Sequence, residues 1–190
     1  MVRERSELEQ ILALQRRNLG LHLAPEVARA QGFVTAEHTL DSLEQMHALA
    51  PSVVVHASAG LAGYALTMPT QTRRCVPILE SMFQLLDTLE WRGVALAQSR
   101  FYVMGQICVA EPYRGQGVFD ALYAGHQAHY AAQYDFLITE IATRNTRSMR
   151  AHERVGFEPI HRYRDALDEW QLVGWDWHRT AAGKSHADKA

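Results

Sequence analysis

One glycine-containing segment limits the fold more than any other part of the sequence. Residues 113–119, Tyr-Arg-Gly-Gln-Gly-Val-Phe, lie directly between an apolar stretch at 101–110 and a segment with helical spacing that extends to about Gln133. Glycines at a helix start allow close approach of a ligand, and the first N–H groups of a helix have no intrahelical partner. The helix dipole and the charge of Arg114 favour an anion such as phosphate.

Two common nucleotide motifs do not fit this segment, and a glycine-rich turn without a ligand remains the alternative. A dinucleotide fingerprint requires a third small residue three positions after Gly117, where the sequence has Asp120. A Walker A loop ends in Gly-Lys-Ser/Thr, and the glycine segment at 113–119 has no such ending.

The remaining segments predict two helices, a strand hairpin, a third helix and then the order β-α-β-α-β-β. Helices are expected from Ser6, with Glu9 completing a capping box, and over 39–50 after Thr39, with an irregular stretch at 21–38 between them. Further elements are predicted in order at 53–55, 61–68, 77–93, 101–110, 115–133, 136–142, 145–155, 157–163 and 170–177. This alternation favours an α/β layer fold with a mixed sheet.

The stretch 45–72 contains no Asp, Glu, Lys or Arg and therefore has to be compared with a membrane span. Two prolines and two glycines interrupt it, whereas a spanning helix needs about 20 mainly apolar residues in a row. We interpret it as a buried hairpin, and we expect no membrane partner.

The composition limits which partners and which cellular compartment are expected for this protein. Nineteen Lys and Arg against 21 Asp and Glu give a net charge of −2 over 190 residues, so no basic face for nucleic acid is expected. The two cysteines, Cys75 and Cys108, do not have the spacing of metal ligands. Two cysteines are also too few for disulfides to stabilise a chain of this size. The charged N-terminus leads into no apolar signal segment. We therefore expect a cytoplasmic protein.

A second motif follows the glycine segment at a characteristic distance. Asn145, Ser148, His152, Gly156 and Phe157 resemble the spacing Asn-x-x-Ala-x-x-x-Tyr-x-x-x-Gly-Phe of the GNAT superfamily of N-acetyltransferases. The segment at 112–117 is similar to the superfamily's pyrophosphate loop, Gln/Arg-x-x-Gly-x-Gly/Ala, except that Pro112 occupies the first position. The hairpin sequence at 60–65 is also similar. Ser148 and His152 depart from the usual Ala and Tyr.

This resemblance implies a GNAT-like mixed, mostly antiparallel central sheet flanked by helices, and acetyl-CoA as cosubstrate without a metal. The implied cofactor-binding residues form the end of one strand, the loop and the start of the next helix, and they are Cys108, Val109, Ala110, Arg114, Gly115, Gln116, Gly117, Val118, Phe119 and Asn145. A backbone N–H near Val109 would face the thioester oxygen.

Two residues are predicted to be catalytic. The superfamily tyrosine at the position of His152 is thought to protonate the leaving thiolate, and an imidazole could do so only when charged. Glu140, on the strand after the loop helix, is the candidate base for the amine. The alternatives are a packed histidine at 152 and an ion pair of Glu140 with Arg144 or Arg147.

Other candidates favour structural interpretations. Cys108 is expected to be a buried thiol beside CoA rather than a nucleophile. His126 and His129 are three residues apart, and a solvated helix face is favoured over a metal site. Structural or solvated positions are also expected for Trp170, Trp175, Trp177, Glu37, Asp41 and Glu44.

We therefore predict an N-acetyltransferase in which a primary amine, small molecule or peptide, attacks acetyl-CoA directly. A non-catalytic acyl-CoA-binding or regulatory module of the same fold is the alternative, motivated by His152. One domain is expected at 1–179, with helices at 6–50 on the acceptor side and a polar, disordered tail at 180–190. A homodimer is compatible with the sequence.

Overall fold

The computed structural model describes residues 1–178, so the predicted tail at 180–190 lies outside the described residues. The helices are α1 (Arg5–Asn18), α2 (Pro25–Gln31), α3 (Leu40–Leu49), α4 (Glu80–Leu86), α5 (Val118–Tyr130) and α6 (Thr146–Val155). The strands are β1 (Val53–Ala57), β2 (Gly60–Pro69), β3 (Glu90–Trp91), β4 (Val94–Ala95), β5 (Phe101–Val109), β6 (Phe136–Ala142), β7 (Glu158–Arg164) and β8 (Glu169–Asp176).

Six of these strands form one mixed sheet in the order β1-β2-β5-β6-β8-β7. Every neighbouring pair is antiparallel except β5 and β6, which run parallel. The helix α5 makes the crossover that two parallel neighbours require. The predicted mixed, mostly antiparallel sheet flanked by helices is therefore confirmed.

Strict alternation along β6 builds a core on both faces of the sheet. Phe136 and Ile138 join the cluster that α1, α3 and α4 cover, whereas Leu137 and Ile141 join the cluster under α5 and α6. All four side chains are buried. The alternation follows from the two-residue period of a strand, and it explains why both faces of this sheet are apolar.

The uncharged stretch folds as the predicted hairpin, in which β1 pairs with β2 through a turn at Gly60. From Ala62 to Met68 the hairpin strand β2 is buried at every position, which accounts for the absence of charge. Within residues 1–178, no helix has the length and apolarity needed to cross a bilayer.

The N-terminal half corrects three sequence predictions. Glu4, rather than Ser6, is the N-cap of α1, and its N–H donates to the Glu7 carboxylate. The stretch expected to be irregular contains α2, which begins at Pro25, a residue that fits the first helical turn. The helix predicted to end near Gly93 ends at Leu86, because the following residues form the β3–β4 hairpin.

Three buried histidines make stability depend on pH. Burial lowers the pKa of His126 to about 3 and the pKa of His38 and His152 to about 4. Because these values lie below that of an unfolded histidine, the unfolded chain binds more protons below pH 6.5, and stability is lost as the pH falls. Burial raises the pKa of Glu140 to about 7, so this one group acts in the opposite direction.

We expect the free energy of unfolding to fall between pH 7 and pH 5, with His126 alone contributing roughly 2 kcal/mol. Urea unfolding at both pH values measures the loss in the parent, in His126→Gln and in the control His129→Gln, whose side chain is exposed. The loss should be smaller in His126→Gln than in the other two proteins. Equal losses in all three would contradict the assignment.

Candidate active site

The site begins where β5 and β6 stop pairing. Residues Phe101–Val103 of β5 pair with residues Phe136–Ile138 of β6. Both strands continue beyond this region without pairing to each other. Two β5 residues, Gly105 and Gln106, lie opposite the single β2 residue Leu66, which is a β-bulge. A bulge bends its strand and increases the local twist. The ends of β5 and β6 therefore diverge and leave a gap in the middle of the sheet.

Two cavities open on this gap. The wider one, about 430 Å³, lies beside the loop before α5, and the narrower one, about 80 Å³, lies between the diverging strands. The residues that line both cavities are Phe33, Val34, Ile107, Asn145 and Ser148. The two cavities thus meet at one place, bounded by the segment after α2, by β5 and by the first turn of α6.

The glycine loop forms one wall of the wider cavity. Gly115 and Gly117 have φ values of +74° and +79°, and a Cβ atom added to either would meet nothing within 4 Å. Gly117 is the N-cap of α5, so the helix begins three residues later than predicted. Within residues 1–178, the backbone N–H groups at 115–119 make no hydrogen bond, and they remain available to an anion.

Arg114 has a structural role that its sequence position did not reveal. Its three guanidinium nitrogens donate to the Val109 carbonyl (3.1 Å), Gln31 Oε1 (2.9 Å) and Asn18 Oδ1 (2.7 Å). The side chain therefore holds α1 and the end of α2 against β5. All three acceptors are neutral, so the positive charge of Arg114 is not cancelled.

Two further arginines line the wider cavity. Arg154 forms two hydrogen bonds with the Asp120 carboxylate, the shorter at 2.6 Å. Arg147 donates to the Ala30 carbonyl and to Gln31, and no carboxylate among residues 1–178 pairs with it. Arg114 and Arg147 therefore give this cavity uncompensated positive charge.

Asn145 joins α6 to the segment between the cavities. Its Oδ1 accepts from the N–H of Ser148, which makes it the N-cap of α6, and its Nδ2 donates to the Phe33 carbonyl at 3.0 Å. Both polar ends of the amide are engaged in the protein. The prediction that Asn145 contacts CoA stays a prediction.

His152 lines the narrower cavity as a neutral group. Its Nδ1 lies 2.8 Å from the Ser148 carbonyl, which can only accept, so the proton is on Nδ1. Nε2 then accepts from the Tyr123 hydroxyl at 2.6 Å. Burial lowers the pKa of His152 to about 4, so the charged form that the predicted acid role needs is disfavoured at neutral pH.

Glu140 lies on the part of β6 that borders the gap. Its carboxylate accepts from the Tyr163 hydroxyl, and burial raises its pKa to about 7. The alternative of an ion pair with Arg144 or Arg147 is wrong, because Arg144 pairs with Asp168 and Arg147 donates to neutral acceptors. A carboxyl with a pKa near neutrality is suited to accept a proton.

The end of β5 presents backbone rather than side-chain chemistry. Burial raises the pKa of the Cys108 thiol to about 12, which agrees with an inert, buried thiol. The N–H of Ala110 donates to the Ala62 carbonyl on the β2 side. Because successive N–H groups of an antiparallel strand point in opposite directions, the N–H of Val109 faces away from β2.

The other candidates occupy mostly structural positions. His126 is fully buried, with Nδ1 3.0 Å from the Tyr102 hydroxyl, so the expected solvated face applies to His129 only. No group of three potential metal ligands occurs among residues 1–178. Trp170 and Trp177 are buried and Trp175 is partly buried. Outside the narrower cavity lie Glu37, Asp41 and Glu44.

The narrower cavity also contains residues that the sequence did not single out. Its apolar lining includes Phe33, Val34, Ile78, Leu79, Met82 and Leu167. These residues come from separate loops and helices without a shared motif.

Comparison with known proteins identifies the architecture. No protein-family model and no curated protein matches this chain. Among solved structures, a GNAT-family acetyltransferase from Streptococcus agalactiae superposes with a TM-score of 0.63 at 12% identity, covering 93% of both chains. The ribosomal-protein-S18-alanine N-acetyltransferase from Escherichia coli gives 0.59 at 14% identity, covering 98% of this chain and 97% of that one.

This chain has the GNAT acetyltransferase fold. A chimeric spermidine N-acetyltransferase with Vibrio cholerae sequence is also similar, with a TM-score of 0.56, 14% identity and 93% coverage of both chains. The resemblance first suggested by residues 112–117 and 145–157 is thereby confirmed at the level of the fold.

The structural role of Arg114 leads to a prediction about stability without any ligand. A lysine lacks the planar, forked guanidinium group and cannot bond all three acceptors at once. Arg114→Lys should therefore lower the free energy of unfolding by about 1–3 kcal/mol. Arg150→Lys is the matched control, because the Arg150 side chain is exposed. Urea unfolding checks both, and equal stability of the two variants would contradict this role.

Proposed function

We propose that this protein is an acetyl-CoA-dependent N-acetyltransferase that acts on a primary amine. The meeting of the two cavities at the gap between β5 and β6 carries the proposal. The wider cavity offers free backbone donors and positive charge, and the narrower one offers a carboxyl that is half ionised near pH 7. Such a pair of sites can bring a phosphate-bearing acyl donor and an amine together.

The donor assignment rests on the wider cavity. The backbone at 115–119 would hold the pyrophosphate of CoA, with Arg114 and Arg147 contributing charge. The pantetheine arm would lie along residues 106–110, at the end of β5, whose outer edge lacks a partner strand beyond Val103. The N–H of Val109 is the candidate donor to the thioester oxygen.

The reaction would be a direct transfer. The amine nitrogen forms a bond to the acetyl carbonyl carbon, the carbon–sulfur bond breaks, and the thiolate takes up one proton to give free CoA. The ammonium must first lose a proton for its nitrogen to attack, and the Glu140 carboxylate is the proposed base. His152, neutral and hydrogen-bonded at both nitrogens, is better suited to hold Ser148 and Tyr123 in position than to donate a proton.

The first test concerns the donor site. CoA should raise the melting temperature of the parent protein, and Gly117→Val should abolish this rise because the added side chain projects into the wider cavity. Gly93→Val is the matched control: Gly93 has nearly the same φ, +76°, and the same free space, but lies in the β3–β4 turn. Both variants should lose similar intrinsic stability. An unchanged CoA effect in Gly117→Val would refute the loop assignment.

The second test concerns Glu140. Since only the carboxylate accepts a proton, kcat/KM should fall as the pH drops through about 7, and Glu140→Gln should lose this inflection together with roughly 10²–10⁴-fold of the rate. Release of free thiol from acetyl-CoA measures the profile. His152→Gln should retain the inflection, because a group with a pKa of about 4 does not titrate there.

Two results would change this interpretation. An inflection near pH 7 that persists in Glu140→Gln would remove Glu140 from the reaction. Binding of acetyl-CoA without thiol release across a panel of amines would instead favour the non-catalytic acyl-CoA-binding module.

A further inference from the structure

The narrower cavity has an apolar wall that continues to the protein surface. Leu79, just before α4, and Met82, in its first turn, are buried in this wall, and Trp170 closes it from β8. At its outer end lie Ile78, 38% exposed, and Leu167, 56% exposed. Exposed large apolar side chains clustered at a cavity indicate a surface that apolar ligand atoms cover.

The ionisable groups of this lining are few. Among the described residues that line the cavity, Glu140 is the one carboxylate, and there is no Lys or Arg. His152 is neutral and engaged at both nitrogens. The cavity therefore offers one site for a cation and none for an anion.

A second carboxylate lies behind the wall and accepts hydrogen bonds from the protein on both oxygens. Asp165 Oδ1 accepts from Trp170 Nε1 at 2.9 Å and from the N–H groups of Leu167 and Asp168, while Oδ2 accepts from Ser81 Oγ at 3.0 Å. The Asp168 carboxylate pairs with Arg144. Both carboxylates are therefore already engaged by groups of the protein.

We infer, on the basis of the proposed function, that the acceptor is a singly charged primary amine on an apolar carbon skeleton. Its nitrogen lies at Glu140, and its carbons pack toward Ile78 and Leu167. A second ammonium at the far end of the acceptor would be desolvated against apolar side chains without a counter-ion. A carboxylate at that end would likewise find no Lys or Arg, so free amino acids and polyamines are poor acceptors.

The test compares three amines of similar length that differ at the far end. These are hexylamine, the diamine cadaverine and the amino acid δ-aminovalerate, which end in a methyl, an ammonium and a carboxylate group. With acetyl-CoA saturating, kcat/KM for hexylamine should exceed that for each of the other two by at least about tenfold. Mass spectrometry of the acetylated amine and thiol release give the rates.

A charge added at the mouth of the cavity tests where the far end of the amine lies. Leu167→Asp should shift the ratio of kcat/KM for cadaverine over hexylamine by about tenfold in favour of cadaverine. Leu21→Asp is the control, because Leu21 is 71% exposed and lies outside both cavities, and it should leave the ratio unchanged.

Donor binding, measured as the CoA-induced rise in melting temperature, separates the two hypotheses. If CoA gives no rise and no amine reacts, the proposed function fails and the acceptor inference fails with it. If CoA binds but cadaverine or δ-aminovalerate reacts as fast as hexylamine, or if other amines of the panel react and none of these three does, only the acceptor inference is overturned. An equal shift in Leu167→Asp and Leu21→Asp also overturns it.

Discussion

The limited pairing between β5 and β6 is the constraint on which the rest of the site depends. Three residues of each strand pair, and the bulge at Gly105 and Gln106 then turns β5 away from its neighbour. A sheet that remained paired would have no gap, because backbone hydrogen bonds would occupy both strand edges. The gap instead frees the outer edge of β5 and exposes Glu140 to a cavity. Both proposed substrates therefore depend on one local defect in an otherwise regular sheet.

Side-chain amides fix the position of residues 33–38, the segment after α2 that lies between the two cavities. The carbonyls of residues 33, 36 and 38 accept hydrogen bonds from three such side chains, namely Asn145, Gln106 and Gln15. These contacts give the segment a fixed position although it belongs to no helix. Since each amide comes from a different element, the segment couples the N-terminal helix to β5 and α6. Neutral donors achieve this without adding charge beside Glu140, whose pKa burial raises to about 7.

The sequence was most informative where a local pattern determines a local structure. Thr39 caps α3 as predicted, and the helix predicted from Asn145 starts at the next residue, with the Asn145 side chain as its cap. The prediction for β6 matches the structure at both ends, because its apolar run is bounded by polar residues. The helix α2 was missed because its seven residues carry little apolar periodicity. Its single buried residue, Ala28, gives no pattern that could be recognised.

The candidate site likewise has one part that local sequence patterns predict and one part that they do not. The loop at 113–119 was recognisable because glycines and a helix start are adjacent in sequence. The bonds from Arg114 to Asn18 and Gln31 join residues 96 and 83 positions apart, and no local pattern encodes them. The narrower cavity is harder still to predict from local patterns, since Ile78 and Leu167 line it from distant parts of the chain. Long-range packing, which a single sequence does not reveal, therefore determines the acceptor side.

Neutral hydrogen bonds throughout the interior explain why one carboxyl can dominate the electrostatics of the gap. Tyr123 with His152 and Tyr102 with His126 are two buried pairs in which a hydroxyl meets a neutral imidazole. In both pairs burial penalises the charged form of the imidazole, so neither pair adds a charge to the interior. The histidine at position 152, unusual for the motif, thus has a structural reason: with Tyr123 it forms a neutral, directional contact between α5 and α6. Glu140 differs because it faces a cavity, where the arrival of a cation would offset the cost of its ionisation.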